Sequence, residues 1–525
     1  MTQLPLIPTP SSVLSAPGAL DPDSLVRVTA ADERALVIAE RFRSDLASWT
    51  GRSLDAGVCV GERAAASVHF EVTGGAAVPA VAPGSLGDHT VLVDERGITV
   101  SAADTEGLAR GAASAVQLLG TTDAEHIPFS RIEDRAAWGW RGLSLDVVRF
   151  FSPIERIRQV IDLLALYKFN VLHLHLSDNE GWRLAIPGWP LLTPATDGPR
   201  EFYTLEEYRD LVQYAQDRFI TIVPEIDLPG HAAAALRAYP ELNPVDAAAL
   251  GGAFPIANLA TDSPRAWALV DDVVRTLAEN TPGPFIHIGG DEAFGMDAAA
   301  HEAFVERAVE RVVAAGKRTI GWQETSRAAI GPAHTAQYWV DFVIDDSAPS
   351  DEPGPDGVPE ESLSAMAAHF REAMHDGQRI VSKGSRVIVS PISHAYMDRP
   401  HAERSLDEAQ EQARSRIGLA YYPGTSLREY LEWDAVDVLP GLDRERISGV
   451  EGALWCESVT EASDIDALLL PRLTAIAEVA WAGSARAGWE RFRDALAAHP
   501  ALWEAQGWRW FQADTVEWRR TWVRS

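Results

Sequence analysis

From about position 138 onward the chain alternates short apolar runs with longer segments whose apolar residues recur every three or four positions. That alternation predicts a parallel sheet covered by amphipathic helices. Eight runs read as strands, at 141–146, 170–177, 220–227, 285–289, 318–322, 336–340, 386–390 and 448–455. Helical periodicity falls between them at 153–167, 205–218, 263–279, 298–315 and 362–375. Eight strands favour a (β/α)8 barrel of the TIM type over a doubly wound sheet. Residues 1–135 read differently, as a small α+β domain with strand-like runs at 68–72, 89–93 and 97–101. A helix at 107–119 places Leu108, Ala112, Ala115, Val116 and Leu119 on one face. This domain gathers no titratable groups around a pocket and is expected to be non-catalytic, with the polar stretch 121–134 as its linker. The catalytic unit is then 136–525. Within it, 341–361 is rich in Asp, Pro, Ser and Gly and reads as a loop beside the barrel mouth, and the Trp-rich tail 489–522 as a helical extension packed on the barrel's outside.

Composition narrows the function. A chain of 525 residues with 46% hydrophobic content can bury more than one core. A formal charge of −30 excludes the basic footprint that nucleic acid or an anionic membrane requires, and suits a neutral or cationic ligand. Positions 1–10 lack the basic-then-apolar pattern of a leader, and no run approaches a membrane span. A cytoplasmic protein is expected unless a leader was removed. Cys59 and Cys456 are the only cysteines, which fits a reducing compartment, and Cys456 reads as a buried structural thiol.

The most informative stretch is Phe285-Ile286-His287-Ile288-Gly289-Gly290-Asp291-Glu292. Strand neighbours point to opposite faces, so aiming both carboxylates at one substrate requires the pleat to break just before them. Two glycines permit that. Carboxylates this close split into a proton donor and a charged partner, although an Asp-Glu pair opening a helix would also suit the helix dipole. In barrels of this kind chemistry sits at the C-terminal ends of strands. Asp146, Asp178, Asp227, Asp291, Glu292, Trp322, Trp339, Trp455 and Glu457 all fall at or just past such an end.

These residues resemble a known family, the β-N-acetylhexosaminidases of glycoside hydrolase family 20. The resemblance is carried by Trp140-Arg141-Gly142, by Asn170 through Asp178 with Gly181-Trp182-Arg183, and by Pro224 through His231. It continues through His287 to Glu292, Gly321-Trp322-Gln323-Glu324, Ser390 to Asp398 and Gly449 to Glu457. It implies an exo-acting, retaining glycosidase that removes terminal β-linked N-acetylglucosamine or N-acetylgalactosamine, the substrate's own acetamide acting as nucleophile. Glu292 would be the general acid/base, Asp291 the group that orients the acetamide, and Tyr396 the hydrogen-bond donor to its carbonyl. Trp322, Trp339, Trp455 and Trp433 would wall the sugar pocket, Arg141, Asp398 and Glu457 would bind hydroxyls, and Asp178 with His231 would support the acid. The resemblance implies no cofactor and no metal, and an N-acetylhexosaminide oligosaccharide or glycoconjugate as the partner. Asn179-Glu180 stands where the family more usually has Asp-Gln, and 341–361 has no counterpart. Preference between the two sugars, linkage and oligomeric state stay open.

Two other readings remain. His173-Leu174-His175 puts two imidazoles on one strand face, as metal-dependent amidohydrolases do early in their barrels, with Asp227, His231, His287 and Asp291 as further candidate ligands. A non-catalytic carbohydrate-binding protein on the same scaffold is the other, against which the joint presence of Glu292, Asp291 and Tyr396 argues.

Overall fold

The computed structural model describes residues 4–519 except 55–56, 76–82, 122–125, 195–197, 244–256, 343–359 and 485–487. Its first layer is a mixed seven-stranded sheet. The strands are β1 (Ser12–Leu20), β2 (Arg27–Ala30), β3 (Cys59–Val60), β4 (Ser67–Val72), β5 (His89–Asp94), β6 (Gly97–Ala102) and β7 (Ile127–Asp134), in the order β1-β7-β5-β6-β4-β2-β3. Helices α1 (Glu33–Thr50) and α2 (Thr105–Thr121) pack together on it. The ends of α1 follow from its sequence. Asp32 accepts hydrogen bonds from the amides of Arg34 and Ala35, and Gly51 closes the helix in the left-handed region at φ 68°. The stretch 121–134 is therefore not a linker. Its residues 127–134 form β7, in which Ser130, Ile132 and Asp134 are buried while Arg131 and Glu133 face outward. The outward charges gave the segment its polar look.

The second layer is a closed parallel barrel of β8 (Trp140–Asp146), β9 (Val171–His175), β10 (Thr221–Glu225), β11 (Phe285–His287), β12 (Arg318–Trp322), β13 (Thr335–Tyr338), β14 (Arg386–Val389) and β15 (Ile447–Leu454), the last pairing with β8. Side chains repeat every second residue along a strand, and the interior fills in levels. The lowest is an apolar plug of Trp140, Val171, Val223, Phe285, Ile320 and Ile388. One pleat higher lie His173, Glu225, His287, Gln337 and Glu451, all buried. Above them the strands end. Among the described residues no helix is long and apolar enough to cross a membrane.

Of two further expectations, only that for the tail needs correction. The excursion 341–361 falls mostly outside the described residues, but its distal end continues into a helix, Glu360–Ala373, that returns to the barrel mouth. The tail is only partly helical, at Gly488–Leu496 and Pro500–Ala505. It packs on α1 and α2 as well as on the barrel, because Trp503 donates to the hydroxyl of Tyr167, at the end of helix α3 (Ile154–Leu166). Asp134 joins the layers from the sheet side, paired with buried Lys168 at 2.7 Å and accepting from the Trp481 indole at 3.0 Å.

Candidate active site

The glycine pair after β11 does what the pattern requires. Gly289 and Gly290 take φ of 68° and 94°, and a Cβ on Gly289 would sit 1.7 Å from the Asp227 carboxylate. Only glycine fits there. The Gly290 amide donates to that same carboxylate at 3.1 Å, and the turn delivers Asp291 and Glu292 to the mouth. Glu292 and His231 are themselves left-handed, at 43° and 48°. Non-glycine residues in that region carry strain of about 1 to 3 kcal/mol, held here by the surrounding hydrogen bonds.

His231 stands at the centre of the carboxylates. Its Nε2 lies 3.5 Å from Glu292, 3.7 Å from Asp291 and 3.9 Å from Asp227, and its Nδ1 is 2.9 Å from Asp178. Burial alone would lower the imidazole, but Asp178 and Asp227 hold it well above its usual value as a cation. Burial and the Asp227 carboxylate push Asp291 well above the ordinary carboxylate range. Burial and its carboxylate neighbour thus favour the neutral form of Asp291 unless a further donor reaches it. Its Oδ1 is buried with no hydrogen-bond partner, a lone pair aimed at whatever donor a ligand brings.

Beside this pair lies an aromatic cup. Trp322, Trp339 and Tyr396 are buried, and Trp455 closes the side, 5.8 Å from Trp322 and 6.1 Å from Tyr396 by ring centroids. Trp339 and Tyr396 lie parallel at 6.3 Å. The indole N–H groups are anchored from behind, Trp322 on Glu225 at 2.8 Å and Trp339 on Glu324 at 3.0 Å. The helix Glu360–Ala373 adds His369, 3.0 Å from Glu324, and Phe370 against Trp339. Across the mouth, Asp398 is buried with no side-chain partner on either oxygen. Burial and Glu457 raise it well above its usual value. Glu457 itself is pushed up to about 7, by burial first.

Ten of the twelve residues expected at the site meet here. Two do not. Arg141 is the second residue of β8, at the N-terminal end of the barrel, where its guanidinium donates to the carbonyls of Lys168 and Trp138 and reaches Ser85 of the small domain. Trp433 follows a short helix on the barrel's flank, stacks on His394 at 5.5 Å and donates to the Tyr430 carbonyl. The arginine at the mouth is Arg149, three residues past the end of β8. It contacts Asp178 at 2.8 Å, Glu180 at 2.9 Å, Asp146 at 3.3 Å and Glu457 at 3.9 Å, and lies 5.6 Å from the Trp455 ring. Its position beyond a strand's C-terminal end was the available signal. Tyr421 and Tyr422 were also missed. They touch at 4.5 Å, Tyr422 packs against the indole cluster, and both phenols feel Asp398 and Glu292.

Three sets of side chains among the described residues are spaced closely enough to hold a cation, His173/Glu225/His287, His175/Glu225/Asp227 and Asp227/His231/Asp291. Glu225 is shared by the first two, and its oxygens already take hydrogen bonds from His175 and Trp322. The His-x-His pair that resembles an amidohydrolase opening thus faces a protein carboxylate. Cys456, buried beside the site, has its thiol pushed well up by burial, as a structural residue should.

Comparison with known proteins matches this geometry. The family described as "Glycosyl hydrolase family 20, catalytic domain" matches residues 138–484, and "Glycosyl hydrolase family 20, domain 2" matches residues 3–135. The chain belongs to glycosyl hydrolase family 20. Family membership makes it a glycosidase and accounts for the small domain ahead of the barrel. A β-N-acetylhexosaminidase of Cellulomonas fimi is 33% identical over 441 residues, covering 82% of this chain and 81% of the relative. The family 20 β-N-acetylhexosaminidase structure from Streptomyces coelicolor aligns over 99% of both chains, with a TM-score of 0.79 and 28% identity. That of Streptomyces plicatus in complex with Thio-NAglucal aligns over 98% of both, at 0.78 and 29%.

Proposed function

We propose that this family 20 glycosidase removes terminal β-linked N-acetylhexosamine by substrate-assisted retention. The observation that carries the reading is the cup of Trp322, Trp339, Trp455 and Tyr396 set beside the unpartnered Oδ1 of Asp291. A 2-hydroxyl would leave that apolar space empty. A 2-acetamido group fills it, its methyl against indole faces and its N–H on Asp291. That contact supplies the donor that favours the anionic form of Asp291 when sugar is bound. Tyr396 then donates to the acetamide carbonyl and orients its oxygen toward the anomeric carbon.

In the first step Glu292 gives its proton to the glycosidic oxygen as the bond to the anomeric carbon breaks, and the acetamide oxygen forms the new bond to that carbon. The resulting oxazolinium is stabilised by Asp291. In the second step water attacks the anomeric carbon, Glu292 takes its proton, and the ring C–O bond opens to return the acetamide. Intramolecular placement replaces an enzyme nucleophile, a recognised exception to the two-carboxylate scheme. Arg149, Glu457 and Asp398 are placed to hold the sugar hydroxyls through charge-assisted bonds. Asp178 and His231 hold the acid.

Paired aryl substrates test the reading. The N-acetylglucosaminide or N-acetylgalactosaminide should turn over while the matching glucoside or galactoside with a free 2-hydroxyl is nearly inert. A thiazoline mimic of the cyclised intermediate should bind far more tightly than the free sugar. A covalent glycosyl-enzyme trapped on a carboxylate by a 2-deoxy-2-fluoro glycoside would overturn it.

A further inference from the structure

Glu225, the last residue of β10, is fully buried below the cup and faces two separate parts of the site with its two oxygens. Oε2 is 2.6 Å from His175 Nδ1 and 3.2 Å from His173 Nε2. Oε1 accepts the Trp322 indole N–H at 2.8 Å and lies 2.9 Å from His287 Nδ1. From His175 the contacts continue without a break. His175 Nε2 is 2.7 Å from Asp178, Asp178 is 2.9 Å from His231, and His231 is 3.5 Å from Glu292. One carboxylate thus ends a chain that begins at the acid and also pins the wall of the acetamide cup.

We propose that Glu225 is a positioning residue that ties the proton donor to the acetamide cup, through the His175 ring on one oxygen and the Trp322 indole on the other. This rests on the assignment of Glu292 as the acid and of the indole cup as the acetamide pocket. The groups facing Glu225 are His173 and His175 from β9, His287 from β11, Trp322 from β12, and Asp227 two residues beyond it; Glu451 from β15 lies on the far side of His173. Burial would lower His175, yet Glu225 and Asp178 on either side raise it to about 10. It is therefore a cation throughout the neutral range, with both ring nitrogens donating, and Asp178 faces three cations, Arg149, His175 and His231. Burial would likewise raise Glu225, and the surrounding imidazoles hold it well below its usual value. An amide at 225 breaks this arrangement in two ways. Without the anion His175 is less readily protonated, and it loses one donor, to Asp178 or to the residue at 225, loosening the support of His231. One oxygen of the carboxylate also becomes an NH2 donor in the carboxamide, so a protonated His175 and the Trp322 N–H no longer each have an oxygen of their own.

Glu225→Gln and His175→Gln test this, with Glu292→Gln as the reference for the acid. In Glu225→Gln, kcat/KM on a substrate with a poor leaving group should fall about tenfold more than on an activated aryl glycoside, a fraction of the 10²- to 10⁴-fold that a placed acid supplies. Thiazoline affinity should fall by about tenfold as well, and the downfield imidazolium N–H signals of His175 at pH 8 should disappear. His175→Gln cuts only the acid arm, so it should reproduce the leaving-group effect with thiazoline affinity kept. Equal losses on both substrates with the imidazolium signals intact would make Glu225 merely structural and overturn the proposal. Should Glu225→Gln not fold, unchanged leaving-group discrimination in His175→Gln overturns it equally. Absence of leaving-group discrimination in Glu292→Gln would instead overturn the assignment of the acid.

Discussion

Arg141 and Arg149 stand at opposite ends of the first barrel strand, and their contacts show why one motif match misled. The five steps from Arg141 to Asp146 span roughly 16 Å at about 3.3 Å per residue. Arg141 therefore meets the small domain while Arg149 meets four carboxylates at the mouth. Arg149→Met is expected to raise KM by about 10- to 100-fold, since a charge-assisted bond contributes about 1.5 to 3 kcal/mol. Arg141→Met should leave KM alone and lower the melting temperature, and steady-state kinetics with calorimetry on both variants separates the two. Glu292→Gln should lower the rate on poor leaving groups by roughly 10²- to 10⁴-fold and less on activated aryl glycosides. The position of Asp291 and Glu292 at the mouth was legible because two glycines before two carboxylates is a backbone statement as well as a chemical one. Trp433 was not, since an indole in a core and an indole in a pocket look alike in sequence.

At the level of elements, the alternation of β9 and β10 was readable and its content was not. Period two predicted that His173 and His175 share a face, but only the closed barrel shows that this face is the interior, with Glu225 between them. Buried groups with raised values make stability depend on pH. The folded protein holds His173 at about 9 and His175 at about 10, neighbouring carboxylates outweighing burial, and Asp227 at about 7 through burial. The histidine contribution is fully present below about 6.5, the unfolded value, and is lost as pH rises through about 9 and 10. That of Asp227 is present below about 3.8 and lost as pH rises through about 7. The three act in the same direction. Denaturant midpoints should fall steadily between pH 7 and 10, and His175→Gln should flatten the upper part of that slope. β7 teaches the converse lesson, for its outward charges concealed a strand whose register with β1 and β5 is a matter of long-range pairing.

For the whole molecule, the barrel was legible because eight apolar runs separated by helical periodicity leave few alternatives, whereas four of the small domain's seven strands were too short, too polar or, in β1, interrupted by Pro17 and Gly18. The two layers meet through buried polar contacts, with Asp134 holding Lys168 and Trp481. The Lys168 ammonium, helped by His89, outweighs burial and depresses Asp134 to about 2. Removing one partner of such a pair strands the other charge, so Asp134→Asn should destabilise the protein by about 3 to 5 kcal/mol, read from the denaturant midpoint at neutral pH. The filled interior also governs traffic. Below the cup lie Glu225, the histidines and the apolar plug, so under the proposed function a terminal sugar bound in the cup would have no exit downward and would leave by the mouth it entered. The shortened chain would then have to let go before the released monosaccharide could escape, and every cut would begin from a fresh encounter. Degradation of a long oligomer should therefore be distributive, with all intermediate lengths accumulating together in a chromatographic time course.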